Sequence, residues 1–475
     1  MITTFVVRDT EVNQAFLFLE LANKILMSAS ENSGKILDMI YNLFKYKDNE
    51  IESLAEQTLN IVGEMILKEG GKFNLEYLDH DVKRMYNLGL FNRVDVIPAP
   101  LSTTRINLVY EFEESFYFLP IPQGGFKEGS LKKIWGGINF NWKNFRGMNE
   151  TVNLSFGVGY EPFISASYLN PWVFGKSHYF FKTGVRYART YPRSVGISDS
   201  IGVIFDKNDV PTYTQDDLSA DFRVGKFLGQ NSSLSADIQV NRIWTSQYEP
   251  GRTVSKDGND FFPTAGIDLV YDTRDYNKFA TSGSYYFTRL SRSGLFTGNI
   301  DVNKFRVDLR KYIPIKISGD YVLILAGRIN SVLTFGGGEI PVYLQESMGY
   351  DNLIRGWDNY VLQGDDKLFT SFELRIPLVK PFYIKGSDHF IIKKLPIAKS
   401  FSYRYGAYAT LFFDLGGVWT RKESIYDVQF KNGFGAGLNF LLPFDFVARL
   451  DLGFRKIPYQ NDYKGQIIVA LDASF

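Results

Sequence analysis

The chain has 475 residues, 45% apolar, 22% charged and 16% aromatic, and its 53 Lys+Arg almost cancel its 52 Asp+Glu; such balance argues against a nucleic-acid binder working by bulk charge. The absence of Cys excludes thiol catalysis, disulfides and thiolate metal sites together, and three distant His residues (His80, His178, His389) leave little for an imidazole metal site or a hydrolytic triad, so an enzyme is not expected. No apolar run approaches the ~18 residues of a spanning helix, so a membrane role requires a β-barrel.

Up to about residue 90 the pattern is helical. Leu17, Leu21, Ile25, then Ile36, Ile40, Leu43, then Ile51, Leu54, Ile61 and Ile66 recur at three- and four-residue spacings, which predicts three helices. From Asn92 the period becomes two: Val94 and Val96, then Ile106, Leu108, Tyr110 and Phe112 after the Pro98/Pro100 turn, read as a hairpin. The stretch from Gly70 to Phe91 resembles the second helix of a polypeptide-transport-associated (POTRA) domain, and the hairpin resembles its last two strands. The resemblance implies an opening strand near Thr4 to Val7, with residues 11 to 60 as a long helical insertion. It further implies an edge strand and a helix groove offered to unfolded chains or partner subunits. The predicted division is a helical segment or insertion at 1–64, a POTRA-like module at 65–114 and a barrel at 115–475.

Beyond residue 115 alternation scarcely stops. Leu234, Ala236, Ile238 and Val240 face one way and Ser235, Asp237, Gln239 and Asn241 the other; Phe446, Ala448, Leu450, Leu452 and Phe454 oppose Arg449, Asp451 and Arg455. One greasy and one charged face is the pattern of a strand between lipid and a polar lumen. A soluble sandwich also alternates, but many of these segments are ten residues or longer. Trp135, Trp142, Trp172, Trp244 and Trp419 fall towards strand ends, where interfacial girdles belong.

About sixteen strands are predicted, the first near 115 to 122 and the last near 466 to 475. Longer connections (190 to 215, 246 to 260, 335 to 366) alternate with short ones (143 to 148, 173 to 177, 229 to 231, 316 to 319, 444 to 445), with one lapse at 380 to 403. That parity suits a barrel with its N-terminal module inside. The chain ends on Phe475; a terminal aromatic on a last strand is characteristic of bacterial outer-membrane barrels, so this strand is expected to close against the first.

The first strand, Phe116-Tyr117-Phe118-Leu119-Pro120-Ile121-Pro122, carries prolines at i and i+2, so two missing N–H donors point to one edge. Either the bonds to strand two or those to strand sixteen are depleted, unless both prolines sit beyond the strand. In the second case the closing seam, framed by Pro120, Pro122 and Phe475, is short of hydrogen bonds.

Within 335 to 366 lies Asn352-Leu353-Ile354-Arg355-Gly356-Trp357, followed by Ser371-Phe372-Glu373-Leu374-Arg375-Ile376-Pro377 and Phe412-Phe413-Asp414-Leu415-Gly416. These segments resemble the signature of the BamA-like outer-membrane assembly and transport superfamily: the Arg-Gly-aromatic tip of the sixth loop, a Ser-x-Glu-x-Arg strand and a Phe-x-Asp-x-Gly strand. Asn432 to Leu438 and Asn170-Pro171-Trp172 are similar to further parts of the pattern. The resemblance implies that the tip (Arg355, Gly356, Trp357) folds into the lumen and that Arg355 engages Glu373 and Asp414, with Gly416 completing the motif. A planar guanidinium can serve two carboxylates, and Gly356 allows a turn or backbone approach that a Cβ would block. The alternative is that Arg355 lies in solvent and both acids are ordinary lumen charges.

The resemblance implies a bacterial outer-membrane assembly or insertion factor: an all-β transmembrane barrel of sixteen antiparallel strands with a small α+β POTRA-like domain. It would act by strand pairing at a lateral gate, with no metal, nucleotide or organic cofactor. Its partners would be the outer-membrane bilayer and unfolded outer-membrane or secreted polypeptides, with periplasmic or lipoprotein subunits as further candidates and no nucleic acid. A two-partner-secretion-type polypeptide transporter and a passive porin are the alternatives. No secretory signal is visible at Met1-Ile2-Thr3-Thr4, which suits a removed signal, an internal start or a mitochondrial outer-membrane relative.

Overall fold

The structure is a computed structural model. It describes residues 2–9, positions 65, 67, 70–75, 77–78, 81–82 and 85, and residues 91–470 outside 115–116, 127–130, 147, 174–177, 193–201, 205–212, 230, 298, 320, 339, 350–352, 358–359, 391–393, 395–401, 443–445 and 457–461. The helices expected within 11 to 60, and Phe475, lie outside the described residues.

The N-terminal module is a three-stranded sheet whose central strand, Arg105–Glu114, pairs in parallel with Ile2–Asp9 and antiparallel with Phe91–Ser102. Leu75, Tyr77, Leu78, Asp81, Val82 and Met85 are helical. Leu78 and Met85, two turns apart, bury one helix face against Val94, Leu108 and Tyr110. The Asp81 carboxylate accepts the Leu67 N–H at 3.0 Å. Tyr117, just before the first barrel strand, belongs to this core and Trp142 of the second strand packs against it, so the module sits at one end of the barrel strands, hereafter the inner end.

The large sheet is a meander of sixteen strands, each neighbouring the next, from Phe118–Phe126 to Tyr463–Ala470. The architecture is that of an all-β transmembrane barrel of sixteen antiparallel strands, preceded by the small module. Among the described residues the first and sixteenth strands share no ladder. Burial is inside-out relative to a water-soluble sheet. On the seventh strand (Ser232–Thr245), Leu234 and Ile238 are 45% exposed, whereas Ser235, Asp237 and Asn241 are buried. That inversion is favourable only where the outer face meets hydrocarbon. The inward charges are paired, as burial demands: Arg289 reaches Asp237 and Asp268, and Arg310 and Arg328 share Asp308.

Several boundaries differ from expectation. The first strand runs to Phe126, because Gly124 and Gly125 continue its ladder opposite Gly136 and Trp135, and both Pro120 and Pro122 are therefore inside it, opposite Phe140 and Ile138. The connection at 380 to 403 is shorter than expected: the twelfth strand reaches Lys385 and the thirteenth starts at Ser402, with register shifts between Pro377 and Phe382 absorbing the prolines. Within 335 to 366, Glu346–Met348 and Tyr360–Gly364 pair with each other, and the latter pairs with Gly202–Ile204 of the 190 to 215 connection. Two of the strand-end tryptophans are packed against protein. Trp142 packs on the module core, and Trp419 is buried at the outer end of the thirteenth strand.

Candidate functional site: a loop tip clasped inside the barrel

Alternation decides which side chains face the lumen. Ser371, Glu373 and Arg375 on the twelfth strand point inward together, as do Phe412 and Asp414 on the thirteenth, and the register sets Ser371 opposite Asp414 and Glu373 opposite Phe412. Onto this floor the 335 to 366 segment lowers its tip. Arg355 is 2% exposed.

The Arg355 backbone N–H and Nε donate to Asp414 Oδ2 at 3.0 and 2.7 Å, while Nη2 donates to Asp414 Oδ1 at 2.7 Å. The Ser371 hydroxyl donates to the same Oδ1 at 2.7 Å. All four acceptor positions of that carboxylate are thus engaged. Arg355 Nη1 donates to Glu373 Oε1 at 2.7 Å, and the guanidinium carbon lies 3.6 Å from the centre of the Phe412 ring. Beyond the first contacts, Asp451 is 3.9 Å from Nη1 and pairs with Arg449 at 3.1 Å, and Arg375 donates to Glu373 Oε2 at 2.8 Å. Arg355, Arg375 and Arg449 therefore meet Glu373, Asp414 and Asp451 in a charge-balanced cluster. Burial opposes the Arg355 charge, but Asp414 and Glu373 outweigh it and raise the guanidinium pKa further.

Backbone approach completes the seat. Gly356 has φ +97°, a conformation costly for a side chain-bearing residue. On the fourteenth strand (Lys431–Leu441), a Cβ on Gly433 would lie 1.8 Å from the Arg355 carbonyl oxygen. Trp357 Nε1 donates to the Asn432 carbonyl at 2.7 Å, and Arg455 lies 4.5 Å over the Trp357 ring. Gly416 faces Met348 and Ile354, which form an apolar pad with Trp357, Leu362, Phe369 and Val418.

The structure thus brings Arg355, Gly356, Trp357, Glu373, Asp414 and Gly416 into one site, while Pro120 and Pro122 stand on the first strand and Phe475 is outside the described residues. Ser371, Phe412, Gly433 and Asp451 were not singled out from the sequence. Each carries a readable signal nonetheless: the first three lie in the motif segments, and Asp451 is an acid on the polar face of an alternating strand.

A family profile described as the Omp85 superfamily domain matches residues 144–469, well over half of the chain. The chain belongs to the Omp85 superfamily. Omp85 barrels are insertion or transport factors rather than enzymes, acting on polypeptides in outer membranes. A POTRA profile, described as a surface antigen variable number repeat, matches residues 42–115 of this Omp85 chain. Among solved structures, BamA from Haemophilus ducreyi lacking POTRA domains 1–3 is similar at 15% identity and a TM-score of 0.52, covering 86% of this chain and 81% of that one. CdiB from Acinetobacter baumannii is similar at 14% identity and 0.53, covering 99% and 89%. CdiB from Escherichia coli is similar at 12% identity and 0.57, covering 86% and 72%. At these identities the likeness concerns the fold.

The base of the Omp85 loop has its own anchor. Glu346 takes Lys304 Nζ at 2.6 Å and Lys367 Nζ at 3.0 Å, with Arg306 at 3.1 Å. Burial pushes the Glu346 carboxyl up, but these three cations together hold it down to about 2. A depressed carboxyl stabilises the folded state above its ordinary value of 4.5 and loses that contribution as pH falls towards about 2. Protease nicking within 335 to 366 is therefore expected to rise across that interval, and the rise should vanish in Glu346→Gln.

Proposed function

We propose that this chain is a bacterial outer-membrane assembly factor that inserts barrel proteins by pairing their strands at the seam between its first and sixteenth strands. The observation that carries the reading is the clasped tip. A loop held at the centre of the barrel by Arg355 obstructs the lumen as a route, and its seat on the twelfth to fifteenth strands stands next to the closing strand. The seam is the remaining exit. Pro120 and Pro122 remove two N–H donors from one edge of the first strand, and an opened strand edge can pair with a client strand. The POTRA domain would receive clients and any periplasmic or lipoprotein subunits.

A dedicated polypeptide transporter of the two-partner-secretion type is the second reading, favoured by the likeness to CdiB across 99% of the chain. Depletion in the native host, followed by a survey of outer-membrane content, separates them. Broad loss of barrel proteins is the result expected here; loss of one secreted polypeptide would point to the transporter, and no change would point to a porin. In the same cells, a disulfide engineered between strands one and sixteen, in a chain without native cysteine, should reproduce the depletion and be relieved by reductant.

A further inference from the structure

The turn between the eighth strand (Asn259–Asp272) and the ninth (Gly283–Ser293) lies at the inner end, yet it folds into the barrel. Asp275 organises it: its carboxylate accepts the backbone N–H groups of Thr281 at 2.8 Å and Ser282 at 3.1 Å, and the Thr281 hydroxyl. Arg274 braces the same turn through Asp272 and the Asn277 carbonyl. The result is a rigid projection that presents Phe279 and Ala280, which are 2% and 1% exposed.

What Phe279 touches is the informative part. It forms one cluster with Ile324, Tyr408, Leu441 and Val447, inward residues near the inner ends of the eleventh, thirteenth, fourteenth and fifteenth strands. Its ring centre is 4.9 Å from that of Tyr408. Ala280 packs with Tyr312 and Ala326. A turn rooted between strands eight and nine therefore spans the mouth to strands on the other side. The lumen above is lined by paired charges, so this layer interrupts a polar interior with an apolar partition.

Arg375 fastens the partition. It is 0% exposed; Nη1 donates to the Ala280 carbonyl at 2.9 Å, and its guanidinium carbon lies 4.3 Å from the Phe279 ring centre and 5.4 Å from that of Tyr312. Nε donates to Glu373 Oε2, while Glu373 Oε1 accepts Arg355. One carboxylate thus joins the outer loop tip to the inner turn. We infer that residues 273–282 are an inner hydrophobic gate of the lumen, latched by Arg375 and coupled through Glu373 to the clasped tip. Apolar constrictions stop water and ions by dewetting, without needing a mechanical seal. The inference is independent of whether the barrel inserts or exports polypeptides.

Thr410 supplies the reporter. It points inward two residues above Tyr408 and two below Phe412, so it lies between the partition and the clasp. Thr410→Cys in the full chain is the only thiol present. Membrane-impermeant maleimide supplied from the inner side should label it slowly with the native turn, and at least about tenfold faster when Phe279→Asp places a charge in the layer. Arg375→Met should accelerate labelling in the same direction while leaving the turn sequence intact. Heat-modifiable gel migration reports folding of each variant, and Phe279→Ala provides the milder substitution should Phe279→Asp fail to fold. Equal labelling rates in native, Phe279→Ala and Arg375→Met barrels would overturn the gate, as would rapid labelling behind the native turn.

Discussion

Arg355→Ala is expected to leave the sixteen-stranded ladder folded and to release the loop tip from the lumen. Truncation strands Glu373 and Asp414 in a site that excludes water, and breaking a buried ion pair from one side costs about 3–5 kcal/mol. The barrel can avoid most of that cost by letting the tip swing out and water enter. The docked population should therefore fall roughly a hundredfold to a thousandfold. Heat-modifiable migration should persist, while protease cleavage within 349–360 becomes rapid and assembly activity falls. Arg355→Lys should recover only part of the effect, because one ammonium cannot reproduce the fork that engages Asp414 twice and Glu373 once. A slow-cleaving, fully active Arg355→Ala protein would defeat the reading.

Gly433→Ala is expected to evict the tip without touching a charge. The added methyl would meet the Arg355 carbonyl oxygen at 1.8 Å, and the obstacle is backbone rather than a flexible side-chain end. Overpacking of a seated core typically costs ~1–3 kcal/mol; with no free side chain to yield, the tip must rise. Loop cleavage should approach that of Arg355→Ala. Because both substitutions act on one docking equilibrium, the double variant should be little worse than the more severe single one. Gly136→Ala is the matched control, since a Cβ there meets nothing within 4 Å. Additive effects in the double variant would show that Gly433 acts elsewhere.

Much of the architecture was legible in the chain. Two-residue alternation over long segments identified every barrel strand, because a wall between lipid and water enforces one rule at each position. The module hairpin was legible for the same reason, but its turn lies at Thr103–Thr104, and Pro98 and Pro100, read as the turn, stand within its first strand opposite Leu108 and Ile106. Boundaries were less so where glycine or proline stood within a strand. Gly124 and Gly125 read as a loop but keep their ladder, and the twelfth strand, read as ending at 379, continues through register shifts around Pro377 and Pro381 to Lys385. Local chemistry marks a break in such places; neighbouring strands decide whether one occurs.

The candidate site divides along the same line. The resemblance named Arg355, Glu373 and Asp414 as a group, and their types alone suit a charge-assisted network. Composition also bounded the chemistry by removing thiols and leaving three isolated imidazoles. The third acid, Asp451, and the glycine at 433 depend on which strands lie under the tip, a relation between residues far apart in the chain. The inner turn is the strongest case. As a sequence, Thr273 to Ser282 is an ordinary polar connection containing one phenylalanine. Only the curvature of the sheet carries Phe279 across to Tyr408 and gives Arg375 its carbonyl partner, because contacts across a lumen follow from barrel curvature and leave no period in the chain.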